Sequence, residues 1–213
     1  MLSKWLSPMT LAQFQEQHFR RLPHAAAGTA SNVGALLDWD ALGRILGVAT
    51  PNDVLTVARG KVIEAPPPRS LADVKHLFSS GLGLTVRKVA KYQPGLAALA
   101  EAFAAELPGT IDLHVFVTPG GTHGYGWHYD IEHVFIVQTA GRKDYYFRRN
   151  TRVDHLPPDA QPDLAQYPNE TSPIATATLL PGDWLYLPAR WWHVALCAED
   201  SLSLSLGIVP AAQ

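Results

Sequence analysis

Hydrophobic and polar residues change rhythm near the middle of this chain. From residue 113 onward they alternate with a period of two, the repeat of a strand with one buried face. Leu113, Val115 and Val117 interleave with His114, Phe116 and Thr118 until Pro119-Gly120-Gly121 breaks the run. Further strands are predicted over 128–137, over 144–148 after a turn at Gly141, and over 175–180, 184–187, 193–197 and 201–207. The last of these, Ser-Leu-Ser-Leu-Ser-Leu-Gly, is two-faced along its whole length. Seven short strands with turns between them predict a β-sandwich or barrel.

The first half reads mostly as helix. Thr10 and Gln13 form a capping box ahead of Leu11–Phe19, with Leu11, Phe14 and His18 along one face. A second helix starts at Asp38 or Asp40 and runs through Leu46 to Gly47. Ser70 and Asp73 cap a third over 71–80, and Gly95–Leu107, after Pro94, is a fourth, stopped by Pro108-Gly109. Strands are predicted at 53–58 and 84–89, and Pro66-Pro67-Pro68 is a rigid connector. The domain expectation is a mostly helical buttress with a few strands over 1–110 and a catalytic core over 111–213.

Composition narrows the function. The chain has 213 residues, 47% hydrophobic and 17% charged, enough apolar material for a sizeable core. Seventeen Lys and Arg against 19 Asp and Glu leave a formal charge of -2, so direct nucleic-acid binding is not expected. The single cysteine, Cys197, excludes an intrachain disulfide framework and a CxxC zinc site, and reads as a buried small residue. The first residues lack the apolar core of a signal peptide, and no window approaches a membrane span. The 95–107 helix has no basic face for a membrane surface. A cytoplasmic protein without membrane contact is expected. Six of nine histidines and four of six tryptophans fall after residue 110, which concentrates metal-binding chemistry there.

Within Gly124-Tyr-Gly-Trp-His128-Tyr-Asp130, His128 and Asp130 lie two apart. On a strand such residues share a face, roughly 7 Å apart at the backbone, and their side chains converge on one ion. His193 opens a later strand 63 residues beyond Asp130. Two imidazoles and one carboxylate make the facial triad of non-haem iron(II) sites, with coordination positions left open. A structural zinc site would close its sphere, usually with thiolates. Taken alone, the pair also reads as a hydrogen-bonded core histidine beside a turn acid. GxSxG, P-loop and HExxH patterns are absent.

Three segments in order carry a resemblance: Thr118-Pro-Gly-Gly-Thr-His-Gly-Tyr-Gly-Trp-His128-Tyr-Asp130, Val134-Phe-Ile-Val-Gln-Thr-Ala-Gly-Arg-Lys143, and Leu180-Pro-Gly-Asp-Trp-Leu-Tyr-Leu-Pro-Ala-Arg-Trp-Trp-His193. With them the chain resembles the JmjC-type cupin oxygenases, in particular the ribosomal-oxygenase-like branch, most closely over 84–209. The resemblance implies a mainly β protein with a helical N-terminal part and a double-stranded β-helix (cupin, jelly-roll) core. It implies an iron(II)- and 2-oxoglutarate-dependent dioxygenase, a hydroxylase of an unactivated C–H bond in a protein or peptide side chain or a small molecule. His128, Asp130 and His193 would hold the metal. The family's cosubstrate anchor stands thirteen residues after the motif Asp, which here is Lys143. An ammonium suits the far carboxylate of a desolvated diacid. An outward-facing Lys143, with Arg142 or Arg148 in its place, is the alternative.

His114 stands where relatives often carry a small polar amide, and either contacts the cosubstrate or is a satisfied core histidine. Tyr125 and Trp127 either shape the pocket or pack in the core, as do Trp191 and Trp192. His123 and His133 are poorer ligands, with His133 predicted on the opposite face of its strand, and Asp183 reads as a structural acid. The proline-rich 150–174 loop, with Asp154, Asp159, Asp163 and Glu170 against Arg152, is locally acidic, which suits a solvated loop or a basic peptide partner. The chain ends at Gln213, so the C-terminal dimerisation and winged-helix regions of larger ribosomal oxygenases are not expected. The oligomeric state stays open, a homodimer included. Two rival functions remain: a metal-dependent cupin enzyme that does not use 2-oxoglutarate, and a binding module.

Overall fold

The alternating leucines and serines of the last strand divide the molecule into two environments. In the computed structural model, which describes residues 1–58, 60–151 and 164–209, the leucines face helices and Ser205, on the opposite face, lines a cavity. The helices are α1 (Leu2–Trp5), α2 (Leu11–Gln17), α3 (Trp39–Val48), α4 (Leu71–Ser79) and α5 (Pro94–Ala104). The strands of the first half are β1 (His24–Ala26), β2 (Val54–Ala58), β3 (Lys61–Ile63) and β4 (Gly83–Val86). Those of the second half are β5 (Thr110–Thr118), β6 (His133–Ala140), β7 (Lys143–Arg148), β8 (Ala175–Leu179), β9 (Trp184–Leu187), β10 (Trp192–Cys197) and β11 (Ser201–Val209).

An eight-stranded sheet runs in the order β1-β9-β6-β11-β5-β4-β2-β3, and a three-stranded sheet in the order β10-β7-β8. Every pairing is antiparallel. On the outer face of the large sheet Leu113, Val115, Val117, Leu202, Leu204 and Leu206 form one core with Trp5, Phe14, Leu42, Leu99 and Phe103 of the helices. Between the sheets, Val134, Ile136, Leu185 and Leu187 meet Tyr145, Phe147 and Leu179 in a second, smaller core. The strands of the first half do more than support the barrel from outside. β1 pairs with β9 and β4 with β5, so residues on both sides of position 110 share one sheet.

The helix signals are realised locally. Thr10 and Gln13 make both halves of the capping box, and Asp38 and Ser70 accept from the backbone N–H groups of Ala41 and Asp73. Two strand expectations need correction. Residues 128–132 do not belong to a regular strand: β6 begins only at His133, because the preceding chain turns aside to run along β10. The 84–89 strand stops at Val86, since Lys88 takes a left-handed conformation (φ 54°) that opens a 3-10 turn. The 150–174 loop falls largely on 152–163, outside the described residues; the chain after them re-enters as a 3-10 turn at Leu164–Asn169. No helix among the described residues is long and apolar enough to cross a membrane.

One polar cluster anchors β4 to the turn before β2. Asp53 is buried (6% exposed) and accepts from Tyr92 Oη at 2.6 Å, Thr50 Oγ1 at 3.0 Å and Lys91 Nζ at 3.2 Å. The Tyr92 hydrogen bond above all, with those from Thr50 and Lys91, holds its carboxyl down at about 2 against the desolvation that opposes it. The Asp53 carbonyl also accepts the Arg87 N–H at 2.7 Å.

Two stability outcomes follow. Leu204→Ala, at a fully buried position, should cost about 2–5 kcal/mol in chemical denaturation, whereas Leu196→Ala, at an exposed one, should stay within about 0.5 kcal/mol. Tyr92→Phe removes a hydrogen bond to a charged acceptor and should cost about 1.5–3 kcal/mol at neutral pH. Because the folded Asp53 carboxyl lies below its unfolded range, its contribution is present above pH 4 and is lost as pH falls toward 2. The gap between Tyr92→Phe and the parent chain should therefore narrow over that interval.

Candidate metal centre and its cavity

His128 and His193 are paired through the backbone. His128 N–H donates to the His193 carbonyl at 3.1 Å, and His193 N–H donates to the His128 carbonyl at 2.7 Å. Residues that exchange both bonds lie directly opposite, with side chains on the same face. Their imidazole centroids are 4.2 Å apart. The irregular segment before His128 is fastened along the same edge: Gly121 N–H donates to the Cys197 carbonyl and Cys197 N–H to that of Thr122, each at 2.9 Å. From the other side Gly60 N–H reaches the Gly124 carbonyl at 2.9 Å. A side chain at Gly60 (φ +81°) would place its Cβ 2.8 Å from the Gly126 nitrogen.

Both rings are oriented for ligation. His128 Nδ1 lies 2.7 Å from the Gly126 carbonyl and His193 Nδ1 lies 3.0 Å from the Trp191 carbonyl. A carbonyl only accepts, so each Nδ1 carries the proton and each Nε2 keeps its lone pair. Burial foremost, with His128 beside it, pushes His193 down to about 4, which keeps its imidazole neutral near pH 7. The Asp130 carboxylate approaches His193 Nε2 at 3.6 Å, and the Asp130 carbonyl accepts the Arg190 N–H at 2.7 Å. One donor atom from each of the three residues falls within 4.8 Å of the others. Two imidazoles and a half-exposed carboxylate, without a thiolate, fit an oxygen- and nitrogen-loving divalent ion with open positions.

The three residues border a cavity of about 290 Å³ between the sheets. At its deep end Lys143 is 3% exposed and donates from Nζ to Ser203 Oγ at 2.9 Å. Burial lowers its pKa, while the Cys197 thiol beside it works the other way. Lys143 pairs with Cys197 and Phe147 with His193, so four residues of β10 separate the ammonium from the metal ligand. At a rise of about 3.3 Å per residue that is roughly 13 Å along the strand. Arg142 forks onto Asp144 outside, and Arg148 lies over Tyr167 and reaches Ser172.

Tyr125 lines the cavity, its hydroxyl 3.3 Å from Thr85 Oγ1, and its ring packs against Phe116 and His128. His114 lines it from β5. Trp127 instead stacks on Tyr167 at 4.4 Å, and Trp192 is buried against Tyr129. His133 accepts the Ala189 N–H at 3.0 Å, is pushed down to about 4 by burial, and stays apart from the cluster. His123 bridges to Leu196 through its backbone, and Asp183 receives the N–H groups of Gly28 and Leu180. Cys197 is buried but also borders the cavity. Leu55, Thr85, Arg87, Tyr145 and Ser205 line it too and were not singled out from the sequence. The serines alone had a signal, as the polar face of an alternating strand.

The JmjC domain description matches residues 90–213, more than half of the chain. The chain is 27% identical, over 96% of its length, to the bifunctional lysine-specific demethylase and histidyl-hydroxylase NO66 of Drosophila pseudoobscura pseudoobscura, and covers 22% of that protein. It is 26% identical to ribosomal oxygenase 1 of Gallus gallus, covering 97% of this chain and 36% of the relative. It thus spans about a third or less of these relatives. Among solved structures, Escherichia coli ycfD superposes with a TM-score of 0.74 at 25% identity, over 96% of this chain and 54% of the other. A structure of YcfD, a ribosomal oxygenase from the same organism, in complex with cobalt and 2-oxoglutarate, gives a TM-score of 0.68 at 23% identity, over 97% and 53% of the two chains. The sheets described above are therefore the cupin fold, and this chain belongs to the JmjC domain family.

Proposed function

We propose that this chain is an iron(II)- and 2-oxoglutarate-dependent dioxygenase that hydroxylates an unactivated C–H bond in a protein or peptide side chain. The observation that carries it is the approach of two lone-pair-bearing imidazoles and a carboxylate at one end of a cavity whose other end holds a buried ammonium. A protein substrate follows from what the relatives are named for, histidyl hydroxylation and ribosomal oxygenation.

In this reading His128 and His193 bind the metal through Nε2, and Asp130 through its carboxylate. Lys143 pairs with the far carboxylate of the cosubstrate, with Ser203 keeping the ammonium in place meanwhile. Tyr125, whose ring packs against His128, and His114 bound the same space. The apolar walls exclude water from the reacting centre. When bound, iron and 2-oxoglutarate supply the oxidation: one oxygen atom enters the substrate, the other the succinate formed as carbon dioxide leaves. The soluble compartment proposed is the cytoplasm.

The reading is tested by incubating the chain with iron(II), oxygen, 2-oxoglutarate and a peptide library, with detection of succinate and of a mass gain of one oxygen. Anaerobic addition of iron(II) and 2-oxoglutarate should produce a visible charge-transfer band; no band and no succinate would leave a cupin without this cosubstrate. His128→Ala should weaken cobalt(II) binding, read by its visible absorption, by more than about 100-fold, beyond the roughly 10- to 100-fold that outer partners of metal ligands are worth. Lys143→Met should weaken 2-oxoglutarate binding about 10-fold or more. The same change should leave the thermal midpoint of the metal-free chain unlowered, because it replaces a desolvated ammonium by an apolar side chain of similar length.

A further inference from the structure

One edge of the small sheet lacks the usual defences of an edge strand. Among the described residues β8 pairs only with β7, in an unbroken register from Lys143 opposite Leu179 to Phe147 opposite Ala175. A free edge offers backbone N–H and C=O groups to another strand, and proteins guard it with charge, shortness or a bulge. The other edges are guarded. β1 and β3 are three residues each, β3 opening on Lys61, and β10 is lined by the chain at His123 and His128. β8 is longer and has no bulge, and no charged residue occurs over 171–182.

Apolar exposure gathers beside it. Ile174 and Leu180, which flank the strand, are 49% and 51% exposed, and Leu22, which shares a groove with Ala175 and Ala177, is 52% exposed. What covers this edge is written in the strand itself. Read from either end, Pro173-Ile-Ala-Thr-Ala177-Thr-Leu-Leu-Pro181 has nearly the same chemistry. An edge built to take a foreign strand would need no such symmetry about its own centre. A two-fold contact between identical chains does, because the same patch must complement itself.

In an antiparallel pairing of two copies centred on Ala177, Thr176 stands opposite the partner's Thr178, Ala175 opposite the partner's Leu179, and Ile174 opposite the partner's Leu180. Each half-exposed aliphatic residue then meets another, and the threonines form cross-strand pairs of a kind that stabilises sheets. Ala177 faces its own copy across the axis, where any charge would meet its like. Within the chain Ala177 and Leu179 pack inward on the core between the sheets, while Thr178 turns outward and donates to Asp144 at 2.6 Å. Directly opposite residues share a face, so the paired strands keep one inner and one outer side. Pro173 and Pro181 close the ladder at its ends, because neither has an N–H to donate.

We infer that β8 is a self-association edge: two copies of this chain join antiparallel about Ala177 and make one six-stranded sheet, β10-β7-β8 continued by the same three strands of the partner. No β8 residue lines the cavity of the metal centre, so the interface is independent of the oxygenase reading. A contact limited to one strand and its flanks is small beside a standard interface. Association should therefore be half complete at about 10–100 µM.

The test is sedimentation velocity of the full chain over about 1–500 µM, where the parent should pass from monomer to dimer. Thr176→Lys puts a charge at an exposed position in the middle of the edge and should weaken association about tenfold or more, with its thermal transition checking that it is folded. Register is read by oxidative cross-linking. Ala177→Cys should form a disulfide between copies. Thr176→Cys should not, because its two copies lie diagonally, beyond the roughly 7 Å between Cα atoms that a disulfide spans. The parent, whose single Cys197 is buried, is the control. A monomer at every concentration would overturn the inference, and slow amide exchange along 174–180 in that monomer would give the edge to another segment of the same chain. Association undiminished by Thr176→Lys, or cross-linking as ready at 176 as at 177, would overturn it too. If Thr176→Lys does not fold, the two cysteine variants decide.

Discussion

The reciprocal backbone bonds between His128 and His193 are what the rest of the site depends on. They convert a separation of 65 residues in sequence into direct opposition, and they do so through main-chain groups rather than through the ligands themselves. The rings are then turned inward by their own carbonyls, Gly126 for one and Trp191 for the other. On a regular strand the Cα atoms of His128 and Asp130 would lie roughly 7 Å apart, with the side chains left to lean together. Departure from regular pairing after His128, with the Asp130 carbonyl caught by Arg190 N–H, lets the three donor atoms close to within 4.8 Å. The glycines of the 120–126 segment permit that path, and the tip of the β2–β3 hairpin braces it at Gly124.

Such a site needs an interior that is not filled, and the large sheet solves this by placing its principal core on the other side. Along β11 the leucines and Ile208 pack outward against helices and their neighbours, while Ser203 and Ser205 face inward. Most of the apolar burial therefore sits outside the barrel, where Trp5, Phe14 and Phe103 interlock with Phe135, Trp184 and Tyr186. The inner face is left free to carry polar groups and empty volume without loss of the main core. The first half of the chain is thus essential twice over. Its helices supply the outer core, and β4 supplies Thr85 and is followed by Arg87 on the cavity wall.

Where local chemistry decides, the sequence was readable. Thr10, Asp38 and Ser70 mark helix starts because a capping side chain acts on N–H groups within its own first turn. The polar face of β11 follows from alternation alone, and the pairing of His128 with Asp130 in one motif is visible by eye. Long-range pairing decides the remainder. β1 and β3 are three residues each, too short for any period to register, and exist because β9 and β2 offer them an edge. The expected strand at 128–132 failed because its backbone pairs with β10 at His128, and regular pairing in β6 begins only at His133. Arg87 was invisible for a similar reason: it reaches the cavity wall because β4 pairs with β5, not because of any motif around it.

Lys143 shows how the same architecture sets electrostatics. An ammonium placed on an inward position of β7, with one hydroxyl for company, is desolvated at the expense of stability. A merely structural position would gain by an apolar residue there. On the proposed reading the unfavourable state belongs to the empty protein, and a diacid supplies the missing countercharge where water has already been removed. On that reading the cavity selects by charge, with a buried ammonium at one end to hold a dicarboxylate whose other end reaches the metal ligands.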